Sequence, residues 1–377
     1  MKPIARERRG QNAIEAPAGE PATRLRALRT LLLVCAAVTV PLPGLCRDAA
    51  DAPRIALGRA LFEDTSLSAD GKTACATCHV AAHAYADPRP HSVGVFGRSG
   101  TRNAPGLTCI GDDTTFAWDG RRSRLEDVVL DPLTNPVELG LDSAADALRR
   151  IDASTRLRGA YRAAYGQDAR IAAADVGAAL AAFVRSLPCA TSAFDAAEHG
   201  ERALTPLAER GRTLFDGVAG CSRCHTLAAN PPTLTDGAMH HSGIGAATGS
   251  AQLSVLVGAV LAQHLDAAQI GPKVLSDTAW SELGRFVVSH RPADIGAFRT
   301  PSLRNVADTA PYMHDGSIAT LQQAVDREIY YQSISSGRPV NLTLDERRAL
   351  VEFLKTLSDA PAETASAPPA EVAVVSP

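Results

Sequence analysis

The sequence predicts an all-α protein made of two similar helical halves, and three observations carry that expectation. Alanine, leucine and arginine are abundant, and such side chains lose little rotamer freedom in a helix, while aromatic residues make up only 5% of the chain. Two segments occur in echoed pairs. Gly58–Asp64, GRALFED, is matched by Gly211–Gly217, GRTLFDG, and Ala179–Leu187, ALAAFVRSL, by Ala349–Leu357, ALVEFLKTL. The second pair carries apolar residues at helical spacing: Leu180, Phe183, Val184 and Leu187 in one copy, Leu350, Phe353, Leu354 and Leu357 in the other. Thr343 and Glu346 stand where a capping box would open the later helix.

In chain order, residues 1–50 read as a signal peptide. Arg24, Arg26 and Arg29 precede a short apolar run, LLLVCAAVTVPLPGL, too brief to span a bilayer and broken by Pro41 and Pro43, with cleavage expected near residues 45–52. An uncleaved anchor is the alternative, and Leu45 before Cys46 is a poor small residue for lipidation. With 377 residues the chain has room for two ordinary domains. Residues 51–200 and 201–358 are the expected pair, parted where AEHGERALTP interrupts the pattern. Each runs from an opening helix through a cysteine motif and a loop-rich middle to a closing amphipathic helix. Residues 359–377, rich in proline and alanine and without periodicity, are expected to be a disordered tail. The net charge of −3 gives no electrostatic footprint for nucleic acid.

The chemistry lies in CATCH, Cys75–His79, and CSRCH, Cys221–His225. Two thiols at this spacing can each add across a haem vinyl group while the adjoining histidine ligates the iron. Roughly 0.005 occurrences of CxxCH are expected by chance in a chain of this composition. A Cys₄ zinc site would leave both histidines idle, and Cys75 and Cys221 lie far beyond the ~15 to 20 residues of a zinc ribbon. Redox disulfides leave the histidines idle as well. The expectation is therefore two cytochrome c-like domains, each folded around one covalently bound haem c. Its anchors are Cys75, Cys78 and His79 in the first domain, and Cys221, Cys224 and His225 in the second. A large apolar cofactor also supplies core to a loop-rich domain.

Further stretches carry a resemblance: LGRALFEDTSLSADGKTACATCH, GTRNAPGL, FAWDGRRSRLEDVVLDPLTNPVELG, SAFD and FRTPSLRNVADTAPYMHDGSIATLQQAV. They run from about residue 55 to 358, and with them the chain resembles the bacterial di-haem cytochrome c peroxidases and their MauG-type relatives. The resemblance implies a peroxidatic haem in the first domain and an electron-transfer haem in the second. Glu138 matches the carboxylate that moves a proton between the oxygens of bound peroxide. Trp118 matches the tryptophan between the haems. Asn103, Thr309 and Pro311 match a calcium site at the domain interface, whose shell water would complete.

Three departures from the family pattern stand out. A histidine that caps the peroxidatic iron in many members is replaced by Val95 in SVGVFG, which implies a permanently open site; His83 and His91 are the nearby substitutes. A pocket glutamine is replaced by Val128. The sixth ligand of the second haem, methionine or tyrosine in relatives, aligns with Glu328, and a small shift would bring Tyr330 or Tyr331 to the iron. Tyr330 is the expected ligand and Met313 the rival, because a thioether raises haem potential. Cys109 and Cys189 stand outside both motifs, with no pairing readable, and His240 and His241 read as loop histidines beside the haem pocket.

Three functions follow from these residues. The first is a periplasmic peroxidase that reduces hydrogen peroxide to water with electrons from a small cytochrome c or cupredoxin. The second is a MauG-type oxidase that modifies an aromatic residue of a partner protein. The third is a non-enzymatic di-haem electron carrier, with no use for Glu138.

Overall fold

The computed structural model describes residues 43–111, 113–189, 192–227, 233–243 and 250–359. The expected leader up to residue 42, and the expected tail from residue 360, lie outside them. The helices of the first half are α1 (Pro43–Glu63), α2 (Cys75–Cys78), α3 (Leu125–Val128), α4 (Asp131–Thr134), α5 (Ala144–Ala153), α6 (Thr155–Tyr165) and α7 (Ala173–Arg185). Then come α8 (Ala193–Glu198), α9 (Pro206–Asp216), α10 (Ser250–Gln263), α11 (Ala267–Ser276), α12 (Thr278–Glu282), α13 (Phe286–Ser289), α14 (Leu321–Ser336) and α15 (Leu344–Lys355). Among the described residues the only sheet is a short antiparallel pair, β1 (Met239–His241) with β2 (Ala297–Arg299). The protein is helical, and none of its described helices is long and apolar enough to cross a membrane.

The echoed segments form the same device twice. α1 packs on α7 and α9 packs on α15, and each pair crosses at a glycine. A Cβ on Gly58 would overlap the Ala179 carbonyl oxygen and stand 2.7 Å from Phe183 Cβ; a Cβ on Gly211 would overlap the Ala349 carbonyl oxygen and stand 2.7 Å from Phe353 Cβ. The helix backbones touch because glycine has no side chain there. Leu57 and Leu61 join Leu180, Phe183 and Val184 in one core, while Phe215 joins Leu350, Phe353 and Leu354 in another. The capping box forms: the Thr343 backbone N–H donates to Glu346 Oε2 at 2.9 Å, and the Glu346 N–H donates to Thr343 Oγ1 at 3.3 Å. Phe194 of α8 packs in the second core, and Arg304 donates to Asp195 Oδ1 at 2.8 Å, so α8 belongs with the residues that follow it.

The middle of the second half differs from the loop-rich expectation. α10 to α13 gather a third core, with Val260, Ile270, Val274, Trp280 and Phe286 buried together. α10, SAQLSVLVGAVLAQ, is apolar almost all round and so shows no amphipathic stripe. This third cluster braces the first half: Thr101 Oγ1 donates to Val274 O at 2.6 Å and Arg102 Nε to Ser281 Oγ at 2.9 Å. Cys109 and Cys189 form a disulfide, which links the loop before Phe116 to the chain just past α7.

Gly58→Ala and Gly211→Ala are each expected to destabilise the protein by about 1–3 kcal/mol through overpacking, despite the ~1 kcal/mol that alanine contributes over glycine in a helix interior. Denaturant unfolding of the two variants checks this. Unchanged midpoints would mean the helices do not cross as described.

Candidate active site

Each CxxCH motif opens onto its own cavity, so no Cys₄ site forms between the two pairs. In the first half a single turn of helix carries Cys75 and Cys78, and the His79 backbone N–H closes it on Cys75 O at 2.9 Å. His79 Nδ1 donates to Tyr85 O at 2.8 Å, a bond made possible by left-handed backbone at Ala84 (φ 50) and Tyr85 (φ 59). In the second half the His225 N–H donates to Cys221 O at 3.0 Å and His225 Nδ1 to Leu234 O at 3.0 Å, with Leu234 again left-handed (φ 55). Fixing the proton on Nδ1 leaves the Nε2 lone pair of each ring free for a metal. Burial lowers the pKa of both histidines, which keeps the rings neutral.

All four motif thiols are unpaired. Burial pushes Cys75 and Cys221 up to about 12 and Cys78 up to about 11. Two thiols and one imidazole, Cys75, Cys78 and His79, line a largely apolar first cavity, and Cys221 and His225 line the second with Cys224 three residues from Cys221 on the same turn, which is the donor set that covalent haem requires. The residues present fit the group.

Glu138 lines the first cavity together with His79, Cys75 and Cys78. It sits on the turn after α4, where its N–H donates to Asn135 O at 3.0 Å and its carbonyl accepts from Val95 N–H at 2.9 Å. Burial raises its carboxyl to about 7; the Arg121 guanidinium opposes that rise, Asp131 adds to it, and a bond from Asn135 opposes it. Val95 is fully buried beneath this turn and is not on the cavity wall. Neither His83 nor His91 reaches the wall, so among the described residues His79 is the only histidine lining the first cavity. Val128 does line it.

Trp118 lines both cavities. Its indole N–H donates to Asn103 O at 2.9 Å, and its backbone carbonyl accepts from Arg299 N–H at 2.8 Å, so the first half holds the ring and the second holds its backbone. Asn103, Thr309 and Pro311 surround a third, small cavity between the halves. The Asn103 amide donates to Asp87 O at 3.2 Å and to Arg89 O at 2.9 Å, which leaves its Oδ1 available; no carboxylate is on that wall.

The expected ligand Tyr330 is elsewhere. It is 57% exposed on the outer face of α14 and does not line the second cavity. Helical phase is the reason: Ala324, Val325, Glu328, Ile329 and Gln332 turn inward, and Tyr330 follows Glu328 by about 200° of rotation. Tyr331 packs against Gly243, also outside the cavity. Burial raises Glu328 to about 7, opposed by Arg327. His240 and His241 stand on the same wall, His240 Nε2 paired with Asp236 Oδ2 at 2.7 Å and His241 Nε2 bonded to Ile295 O at 3.1 Å. Met313 lines this cavity and also the small one between the halves.

Sequence reasoning missed a buried charge cluster. Asp119 is fully buried and accepts from Arg102 Nη1 at 2.6 Å and from Arg121 Nη1 at 3.2 Å. Burial would raise its carboxyl, but Arg121 and Arg102 hold it down at about 2. The available signal was the density of charge in FAWDGRRSR, between apolar stretches.

The model of the family described as di-haem cytochrome c peroxidase matches residues 52–203. The methylamine utilization protein MauG of Methylorubrum extorquens is 33% identical over 317 residues, covering 82% of this chain and 79% of that protein. Cytochrome-c peroxidase IdrP2 of Denitromonas iodatirespirans is 32% identical over 325 residues, covering 83% of each. Among solved structures, a MauG-like protein associated with microbial copper homeostasis superposes with a TM-score of 0.64 at 31% identity, over 81% of this chain and 89% of that one. Two haem c groups are implied by the family, and its cytochrome c peroxidases are oxidoreductases. The chain therefore belongs to the di-haem cytochrome c peroxidase and MauG family.

Proposed function

We propose that this protein is a periplasmic di-haem peroxidase, which reduces hydrogen peroxide to water with electrons from a small cytochrome c or cupredoxin. The observation that carries the reading is a protonatable carboxyl, Glu138, on the wall of the cavity that also holds His79 and its two cysteines. Cys75 and Cys78 would anchor the first haem and His79 would ligate it; Cys221, Cys224 and His225 would do the same for the second. When bound, the first haem supplies the iron at which the O–O bond of peroxide is cleaved. Glu138 takes the proton from the near oxygen of peroxide and returns it to the far oxygen as that oxygen departs as water. Arg121, on the same wall, favours the ionised form of Glu138 that must accept the proton.

Trp118, shared by both cavities, is the stepping stone for electrons between them. A calcium ion held by Asn103, Thr309 and Pro311 belongs to the proposal as well; it would stiffen the wall on which Trp118 rests. Export is supported by the Cys109–Cys189 disulfide, since such bonds persist in oxidising compartments. One observation favours the MauG-type reading, in which a partner protein's aromatic residue is modified: Val95 is packed under the Glu138 turn, and no described histidine faces His79 across the first cavity. Steady turnover of peroxide with a reduced small cytochrome or cupredoxin supports the peroxidase. A long-lived oxidised state discharged only by one protein substrate supports the alternative.

Glu138→Gln is expected to slow the reaction with peroxide by roughly 10²- to 10⁴-fold while haem content stays at the wild-type level, which stopped-flow mixing and haem quantitation measure together. The wild-type rate should rise with pH on the acid side and level off above about 7, because Glu138 below that pH already carries the proton it must accept. The glutamine variant should lack this limb. Trp118→Phe is expected to slow electron transfer between the haems and leave peroxide binding unchanged, as read by rapid-mixing spectroscopy of the half-reduced protein.

A further inference from the structure

We propose that Glu328 is an axial ligand of the haem iron in the second cavity, donating through a carboxylate oxygen. The inference rests on the di-haem reading above and adds to it the identity of a ligand. The second cavity is lined by His225, the imidazole expected on one side of the iron, and by the inner face of α14. That face presents only two polar side chains to the cavity, Glu328 and Gln332, one helical turn apart. Glu328 accepts no hydrogen bond from any described residue. Its neighbour Arg327 is turned away, donating to Gly243 O at 2.6 Å and lying over the Tyr330 ring. A carboxyl group in an apolar cavity without a donor is costly, and a cation there satisfies it.

The other donors on the wall are already engaged or stand apart. His314 is buried, stacked on Phe298 with ring centroids 3.7 Å apart, and its Nε2 pairs with Glu282 Oε1 at 3.2 Å. His240 is paired with Asp236, and His241 is bonded to the Ile295 carbonyl. Met313 is free of such bonds, but it lines the small cavity beside Trp118 too, which places it on the partition between the halves. Gln332 offers a neutral amide, a weaker partner for ferric iron than a carboxylate. Glu328 is thus the strong donor on this wall with nothing else to bind.

An anionic oxygen stabilises ferric over ferrous iron, so this haem would have a lower potential than one with a thioether ligand. The test uses the holoprotein. Haem is counted per chain, and cyanide titration, optical and EPR spectra and redox titration are compared for wild type, Glu328→Gln, Glu328→Ala, Glu328→Met and Met313→Leu. Wild type is expected to bind cyanide tightly at one iron and Glu328→Ala at two. Glu328→Gln should perturb the spectrum of one haem only, and Glu328→Met should turn that haem low-spin and raise its potential. Met313→Leu should match wild type. Two haems per chain with spectra and cyanide stoichiometry insensitive to Glu328, or a ligand lost in Met313→Leu instead, would overturn the assignment and leave the di-haem reading intact. Fewer than two haems in the wild type would overturn both.

Discussion

The arrangement of the site depends on one buried carboxylate. Asp119 lies at the tip of a loop closed by pairing of Phe116 with Arg122, and it pairs with two buried guanidinium groups, Arg102 and Arg121. Each arginine then has a task in a different place. Arg102 reaches Ser281 in the third core, and Arg121 stands on the cavity wall with Glu138. The residue before Asp119 is Trp118, so the same anchor sets the indole between the two cavities. Arg285, just before α13, closes the loop from the far side by donating to Gly120 O at 2.6 Å. Removing the Asp119 charge would leave buried Arg102 without its carboxylate and Arg121 with Asp131 alone, a far larger disturbance than loss of a surface ion pair.

The halves share a scaffold and differ in what faces the cavity. Both have a glycine crossing, a one-turn cysteine motif and a histidine whose Nδ1 is held by a carbonyl from left-handed backbone. In the first, the acidic group comes from a turn braced by the Val93–Ser99 loop; in the second it comes from a long helix. The turn is clamped at the Glu138 carbonyl by Val95 and at Pro136 by Arg98, which fixes where its carboxyl enters the cavity. A residue in mid-helix is fixed more firmly, which suits a group that stays put.

Much of the frame was legible in the sequence because it is written in short-range patterns. The paired stripes became α7 and α15, Thr343 and Glu346 formed their box, and the two pentapeptides each line a cavity. What escaped depends on relations that periodicity does not encode. α10 is apolar around its circumference, so no stripe announced the third core. Cys109 and Cys189 meet only because the fold returns the end of α7 to the loop before Phe116. Tyr330 is the ligand that a small shift of the family pattern would supply, and helical phase, which the pattern does not encode, puts it on the outer face of α14. The Asp119 cluster combines residues from three parts of the chain, and only its central run of charge was visible in advance.

The disulfide also bears on how the protein is made. From Cys75 onward there are six cysteines, of which two are oxidised and four are free, and on the proposed di-haem reading those four would have to stay reduced until they bond to porphyrin. Biogenesis has to sort these thiols. Any oxidant catalyst that reaches the nascent chain before attachment risks trapping Cys75 or Cys78 with Cys109, an error that a reductant would have to undo. Yield of the mature protein should accordingly be governed by the order of two competing reactions, thioether formation and disulfide formation, more than by the folding of its helices.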